Sequence, residues 1–125
     1  DQRRVLINAI TDAITNMEAK KILFSLEDEI NYLEEYPVGN LLLNGAHPRF
    51  YQNSLQDIAQ ALIVKNADSK RLGHLLCVVY QVRCNIEHGK KKLGTNRSQK
   101  LFSVSNKILD LVIPILAGES DAACI

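Results

Sequence analysis

Apolar residues recur at helical spacing along most of the chain. In the first twenty residues Leu6, Ile10, Ala13 and Met17 stand three or four positions apart, as they do on one face of an amphipathic helix. No segment alternates apolar and polar residues at a period of two, which is the pattern of a half-buried strand. We therefore predict an all-α fold, an antiparallel bundle of four to five helices.

Proline and loop-forming residues delimit the second helix. Residues 22–36 are expected to form this helix, or a bent continuation of the first, and Pro37 should end it because the residue before a proline is pushed out of the α conformation. Residues 38–52 contain several Gly, Asn and Pro positions and are predicted to be a long connection. Ser54 is the expected N-cap of a third helix, which should run to about residue 66.

Capping and stop residues predict two further helices. Asp68 or Ser69 is expected to cap the fourth helix, and Gly89 is a natural stop for it. The last helix should begin near Arg97 and carry an apolar face, and Pro114 should kink it or end it. A basic loop is expected between these two helices.

Arg83 interrupts the apolar face of the fourth helix. On a wheel of about 100° per residue, it falls near the middle of an arc of six apolar residues. That arc is formed by Leu72, Leu75, Leu76, Val79, Val82 and Ile86. A guanidinium stays charged and is costly to bury without a partner. Arg83 could pair internally with a carboxylate such as Asp110 or Glu87, or it could line a cleft or subunit interface where an anion binds.

Charge is unevenly distributed, although the net charge is only +1. Residues 22–48 hold five acids and no Lys or Arg, whereas residues 83–107 hold seven bases and one acid. A basic run is often only a solvated surface, but this separation favours a polyanion near the second segment. The residues that we expect to contact it are Lys90, Lys91, Lys92 and Arg97.

Composition indicates one domain in a reducing compartment. A chain of 125 residues with 46% hydrophobic residues can form one core, so we expect a single domain over residues 1–125. Because the sequence does not begin with Met, this domain could belong to a longer protein. Cys77, Cys84 and Cys124 have no C-x-x-C spacing and do not suggest a disulfide framework. No apolar run is long enough for a membrane helix. We expect a cytoplasmic protein without membrane association.

A short polar motif is expected at the end of the fourth helix. Arg83, Asn85 and His88 form the run Arg-x-Asn-x-x-His-Gly, with a lysine cluster after it. This run resembles the Arg-x(4–6)-His signature of HEPN domains, and the resemblance is clearest over residues 68–116. It implies a HEPN-like helical bundle. Many HEPN proteins are metal-independent endoribonucleases in toxin, antiphage or RNA-processing systems, whereas others bind RNA, a nucleotide or a partner protein without catalysis. Cys84 stands where family members often carry a polar residue.

The resemblance implies that Arg83 and His88 are the catalytic pair and that Asn85 is a further polar site residue. An imidazole changes charge near neutral pH and can exchange protons, while a guanidinium holds phosphate oxygens and stays charged. The two side chains lie about 140° apart on one helix, so a two-fold dimer that faces two such helices would bring them together. We expect RNA as the substrate, a homodimer and no cofactor. A nucleotidyltransferase antitoxin is a further partner that the resemblance implies.

Metal ligation is a weaker interpretation of the histidines and cysteines. His74 and Cys77 are three residues apart, and Cys84 and His88 are four apart. Neither pair is accompanied by the third and fourth ligands of a typical zinc site. We therefore predict no metal site.

Overall fold

The computed structural model describes residues 2–40, 46–87 and 96–124, with the side chains of residues 87, 96–98 and 116–124 outside the description. Within these ranges the secondary structure is entirely helical, which confirms the all-α prediction. There are six helices in the described ranges, rather than the predicted four or five. They are α1 (Gln2–Ala13), α2 (Asn16–Ser25), α3 (Glu27–Glu35), α4 (Gln52–Leu62), α5 (Asp68–Glu87) and α6 (Asn96–Cys124).

The additional helices arise from two breaks in the first third of the chain. At the first break Thr15 adopts an extended conformation and caps α2, because its Oγ1 accepts the backbone N–H of Glu18 at 3.2 Å. The second break lies at Leu26, which is fully buried and has no side-chain cap. The predicted single helix over residues 22–36 is therefore wrong, although the predicted end before Pro37 is confirmed.

Tertiary contacts replace the predicted helix caps. Ser54 lies inside α4 and is buried, and α4 ends at Leu62, four residues before the predicted end. At the start of α5 the N–H of Ser69 donates to Oδ1 of Asn16, at 3.0 Å. Asp68 instead accepts a hydrogen bond from Arg71, with 2.9 Å between Nη1 and Oδ1. The cap of α5 is thus supplied by α2, which no local pattern could have indicated.

Pro114 does not end the last helix. It lies inside α6, which continues to Cys124. Of the two effects predicted for this proline, a kink or an end of the helix, the prediction that the helix ends there is therefore wrong. None of the helices in the described ranges has both the length and the apolar character needed to cross a bilayer.

Helix α5 is the centre of the fold. It packs against α1, α2, α4 and α6, and all eight residues from 72 to 79 are buried. Gly73 allows α1 to come close, since a Cβ there would lie 3.0 Å from the Cα of Ile7. Residues with an exposed fraction below 2% include Ile10, Ile14, Leu26, Leu33, Leu72, Leu75, Val78, Ile108 and Val112.

The Asn16 cap should stabilise the contact between α2 and α5. We expect Asn16→Ala to lower the free energy of unfolding by about 1 kcal/mol, because the N–H of Ser69 loses its acceptor. Urea denaturation measures this change. Asn53→Ala is the matched control, since it makes the same change at an exposed residue in the first turn of α4. Equal effects of the two substitutions would show that the Asn16 hydrogen bond contributes nothing.

Candidate functional site

Arg83 lies on the wall of a groove between α5 and α6. The groove has a volume of about 280 Å³ and a mainly apolar wall, to which Val79, Val82 and Phe102 contribute. Arg83 is exposed, whereas Val79 and Val82 beside it are buried. Its guanidinium is the single charged group among the described residues that line the groove. Arg83 therefore places a permanent positive charge beside an apolar cleft.

Sequence reasoning missed the α6 side of this groove. Phe102, Leu109 and Ile113 lie beside the buried face of α6 at spacings of seven and four residues, which places them on one side of a helix. Phe102 is 42% exposed and Ile113 is 52% exposed. This second apolar row was the signal in the sequence, but the buried row Leu101, Val104, Ile108 and Val112 obscured it.

Ser105 leaves a polar group unsatisfied in the wall of the groove. Its side chain is 6% exposed, and its hydroxyl has no hydrogen-bond partner in the described part of the chain. A buried hydroxyl without a partner costs about 1–3 kcal/mol. The wall between α5 and α6 therefore contains a buried hydroxyl without a hydrogen-bond partner among the described residues.

Asn85 faces the protein interior. Its Nδ2 donates to the carbonyl oxygen of Gly39 at 2.8 Å, and its Oδ1 accepts from Nε2 of Gln81 at 3.0 Å. Asn85 is 4% exposed, in contrast to Arg83. The structure thus separates these two motif residues, and Asn85 attaches the segment after α3 to the end of α5. Its predicted part in RNA cleavage stays a prediction.

The segment that contacts Asn85 also contacts Phe50. A Cβ at Gly39 would overlap the ring of Phe50, and the N–H of Asn40 donates to the Phe50 carbonyl at 2.8 Å. Gly39, Asn40 and Phe50 therefore lie together beside the last turns of α5, close to Asn85.

The remaining predicted site residues are not described. His88, Lys90, Lys91 and Lys92 lie outside the described residues, and so does the side chain of Arg97, which belongs to the first turn of α6. Their predicted roles therefore stay predictions.

Two bases of the positively charged segment have partners within the chain. Nζ of Lys107 lies 3.1 Å from Oε1 of Glu29, and Nζ of Lys100 lies 5.4 Å from the centre of the Tyr32 ring. Both contacts join α6 to α3. The ion pair of Lys107 with Glu29 reduces the positive charge available to an external polyanion, and both contacts join the basic segment to the acidic one.

Comparisons with family models, curated proteins and solved structures give no match for this chain. Any functional assignment therefore depends on the residues of the groove and the motif.

Asn85 and Arg83 should differ sharply in their effect on stability. We expect Asn85→Ala to lower the free energy of unfolding by about 1–3 kcal/mol, because the buried carbonyl of Gly39 loses its donor. Arg83→Ala should lower it by less than Asn85→Ala does, because Arg83 is exposed whereas Asn85 is buried. Urea denaturation measures both.

Asn106→Ala is the matched control, since Asn106 is an exposed asparagine of the same groove. If Asn85→Ala were as mild as Asn106→Ala, the contact with Gly39 would not hold the segment.

Proposed function

We propose that this chain is a metal-independent endoribonuclease of the HEPN type, acting as a homodimer. The observation that supports it most is the position of Arg83, an exposed and permanently charged residue that lines the apolar groove of α5 and α6. In the sequence His88 and three lysines follow directly after α5. A cation for phosphate, an imidazole for proton transfer and a basic segment for the RNA backbone would then lie at one end of the helix.

The proposed reaction is an attack of the RNA 2′-hydroxyl on the neighbouring phosphorus. The new bond joins O2′ to phosphorus, and the bond from phosphorus to O5′ breaks. His88 would accept the proton of the 2′-hydroxyl or donate one to the leaving oxygen. Arg83 would stabilise the negative charge that develops on the phosphate oxygens. The products are a 2′,3′-cyclic phosphate and a 5′-hydroxyl.

A second copy of the chain is the proposed occupant of the groove. Tyr80 is 42% exposed, and together with Phe102 and Ile113 it leaves apolar surface on α5 and α6 uncovered. A two-fold partner would cover this surface with the same residues, because both subunits use one patch. The two Arg83 side chains would then face each other, which is favourable when a phosphate lies between them.

Cleavage of single-stranded RNA should occur in EDTA. We expect Arg83→Ala and His88→Ala each to lower the rate by about a hundredfold or more, since each removes one half of the proposed chemistry. Gel analysis of a labelled RNA measures the rate, and the cyclic phosphate end identifies the reaction.

Arg49→Ala and His47→Ala are matched controls, because both residues are exposed and lie outside the groove. They should retain the wild-type rate. An equally fast His88 variant would refute the nuclease proposal. RNA binding without cleavage by the wild type would favour the non-catalytic HEPN module instead.

The α5–α6 surface should form the dimer. We expect sedimentation at micromolar concentration to give twice the mass of the 14.0 kDa chain. The interface of this dimer should bury more than about 1,000 Å². Phe102→Asp should produce the monomer, because a carboxylate would be buried in the interface.

Phe24→Asp is the matched control for the dimer, since Phe24 is 80% exposed on α2. It should remain dimeric. A wild type that sediments as a monomer, or a Phe102 variant that stays dimeric, would contradict the composite site.

A further inference from the structure

A second polar cluster lies where α1, α4 and α5 meet. Asp57 of α4 is 2% exposed, yet it is a carboxylate. Arg3 of α1 approaches both of its oxygens, with Nε 2.9 Å from Oδ2 and a closer contact from Nη2 to Oδ1. His74 of α5 completes the cluster, with Nδ1 2.9 Å from the same Oδ1. The three helices are thus joined by one buried carboxylate.

Arg3 of this cluster and the neighbouring Cys77 each keep one protonation state at neutral pH. The hydrogen bond with Asp57 raises the pKa of Arg3, so its guanidinium stays charged. Burial raises the pKa of the Cys77 thiol to about 12, so Cys77 stays protonated at neutral pH. That thiol approaches the Arg3 carbonyl oxygen at 3.7 Å.

The cluster borders an open polar groove with a volume of about 490 Å³. Arg4 and Lys70 line it as well, and both are exposed. No carboxylate is among the described residues that line the groove. Asp57 balances the charge of Arg3, so Arg4 and Lys70 leave the groove with an excess of two positive charges. Such a surface attracts anions and repels cations.

His74 can offer one further ring nitrogen to a ligand. Its Nδ1 is engaged by the Asp57 carboxylate, and Nε2 donates a hydrogen bond to a phosphate oxygen when it also carries a proton, because both ring nitrogens of an imidazolium are donors. Nε2 has no hydrogen-bond partner within the described residues. Among the described residues, the fully buried side-chain atoms that lack a hydrogen-bond partner are Glu29 Oε1 and Ser105 Oγ. Nε2 of His74 is not one of them. Since His74 lines the groove, Nε2 is the polar atom that it can present there.

We propose that the groove between α1, α4 and α5 binds a phosphate group, held by Arg4, Lys70 and Nε2 of His74. The phosphate is either free or part of a small ester such as a mononucleotide. A volume of this size falls within the range of small-ligand sites, about 300–1,000 Å³. Gln56 and Gln60 add amide groups for the rest of such a ligand.

This phosphate site is separate from the proposed nuclease site. His74 and Arg83 are nine residues apart on α5, which is two and a half turns, so they lie on opposite sides of the helix and about 13 Å apart along its axis. A test of phosphate binding therefore does not depend on RNA cleavage.

Calorimetric titration of the full chain with inorganic phosphate, AMP and adenosine tests the site. We expect one phosphate or one AMP per chain and no binding of adenosine. The double variant Arg4→Gln with Lys70→Gln should weaken binding by about tenfold or more, because two charged contacts are lost. Equal affinities for phosphate and AMP would indicate that the phosphate alone is recognised, and tighter binding of AMP would indicate a nucleotide site.

The double variant Lys21→Gln with Lys65→Gln is the matched control, since it removes two exposed lysines outside the groove. It should bind within about twofold of the wild type. Equal weakening by the two double variants would overturn the proposal, because the attraction would then be a general charge effect. Absence of binding by phosphate and AMP at millimolar concentration would overturn it too.

Imidazole ¹⁵N spectra of the wild type provide a measurement that needs no variant. His47 is the internal control, because its Nδ1 accepts the N–H of Arg49 at 3.0 Å and its proton must therefore lie on Nε2. Phosphate should shift the Nε2 signal of His74 and leave that of His47 unchanged. An unchanged His74 signal under saturating phosphate would exclude this histidine from the site.

Discussion

The enclosure of α5 is the constraint on which the rest of the structure depends. All eight residues from 72 to 79 are buried, so no side of the middle of this helix is broadly exposed to water. A helix in this position must have neighbours all around it, and α1, α2, α4 and α6 supply them. Gly73 allows one of these helices to come especially close.

Enclosure also determines how polar groups on α5 are satisfied. His74 is one of the eight buried residues, and an imidazole there needs a partner. Asp57 provides it from α4, and Arg3 neutralises Asp57 from α1. Each of these groups would be costly to bury alone, and removing any one would leave the others uncompensated. The same contacts leave one edge of the cluster open to the groove that carries Arg4 and Lys70.

At the end of α5, one polar side chain is buried and a neighbouring one is exposed. Asn85 is buried because it binds the Gly39 carbonyl, and this hydrogen bond fixes the last turns of the helix against the segment after α3. Arg83 lies on the exposed side, where α5 and α6 diverge into an apolar groove. A motif that is compact in the sequence is therefore divided between the interior and the surface. The acidic and basic segments, which look like separate surfaces in the sequence, are joined by Lys107 and Glu29.

Periodicity was sufficient for the all-helical class and the special position of Arg83, because these depend on spacing along one helix, and the local effect of Pro37 was sufficient for the end of α3. The cap of α5 and the polar cluster depend on contacts between distant residues: Asn16 with Ser69, and Arg3 with Asp57. A hydrogen bond of this kind leaves no mark on local spacing, and only packing decides which face of a helix is covered. The sequence therefore determined the all-helical class and the candidate chemistry, whereas the tertiary structure decided which polar side chains are buried and which are exposed.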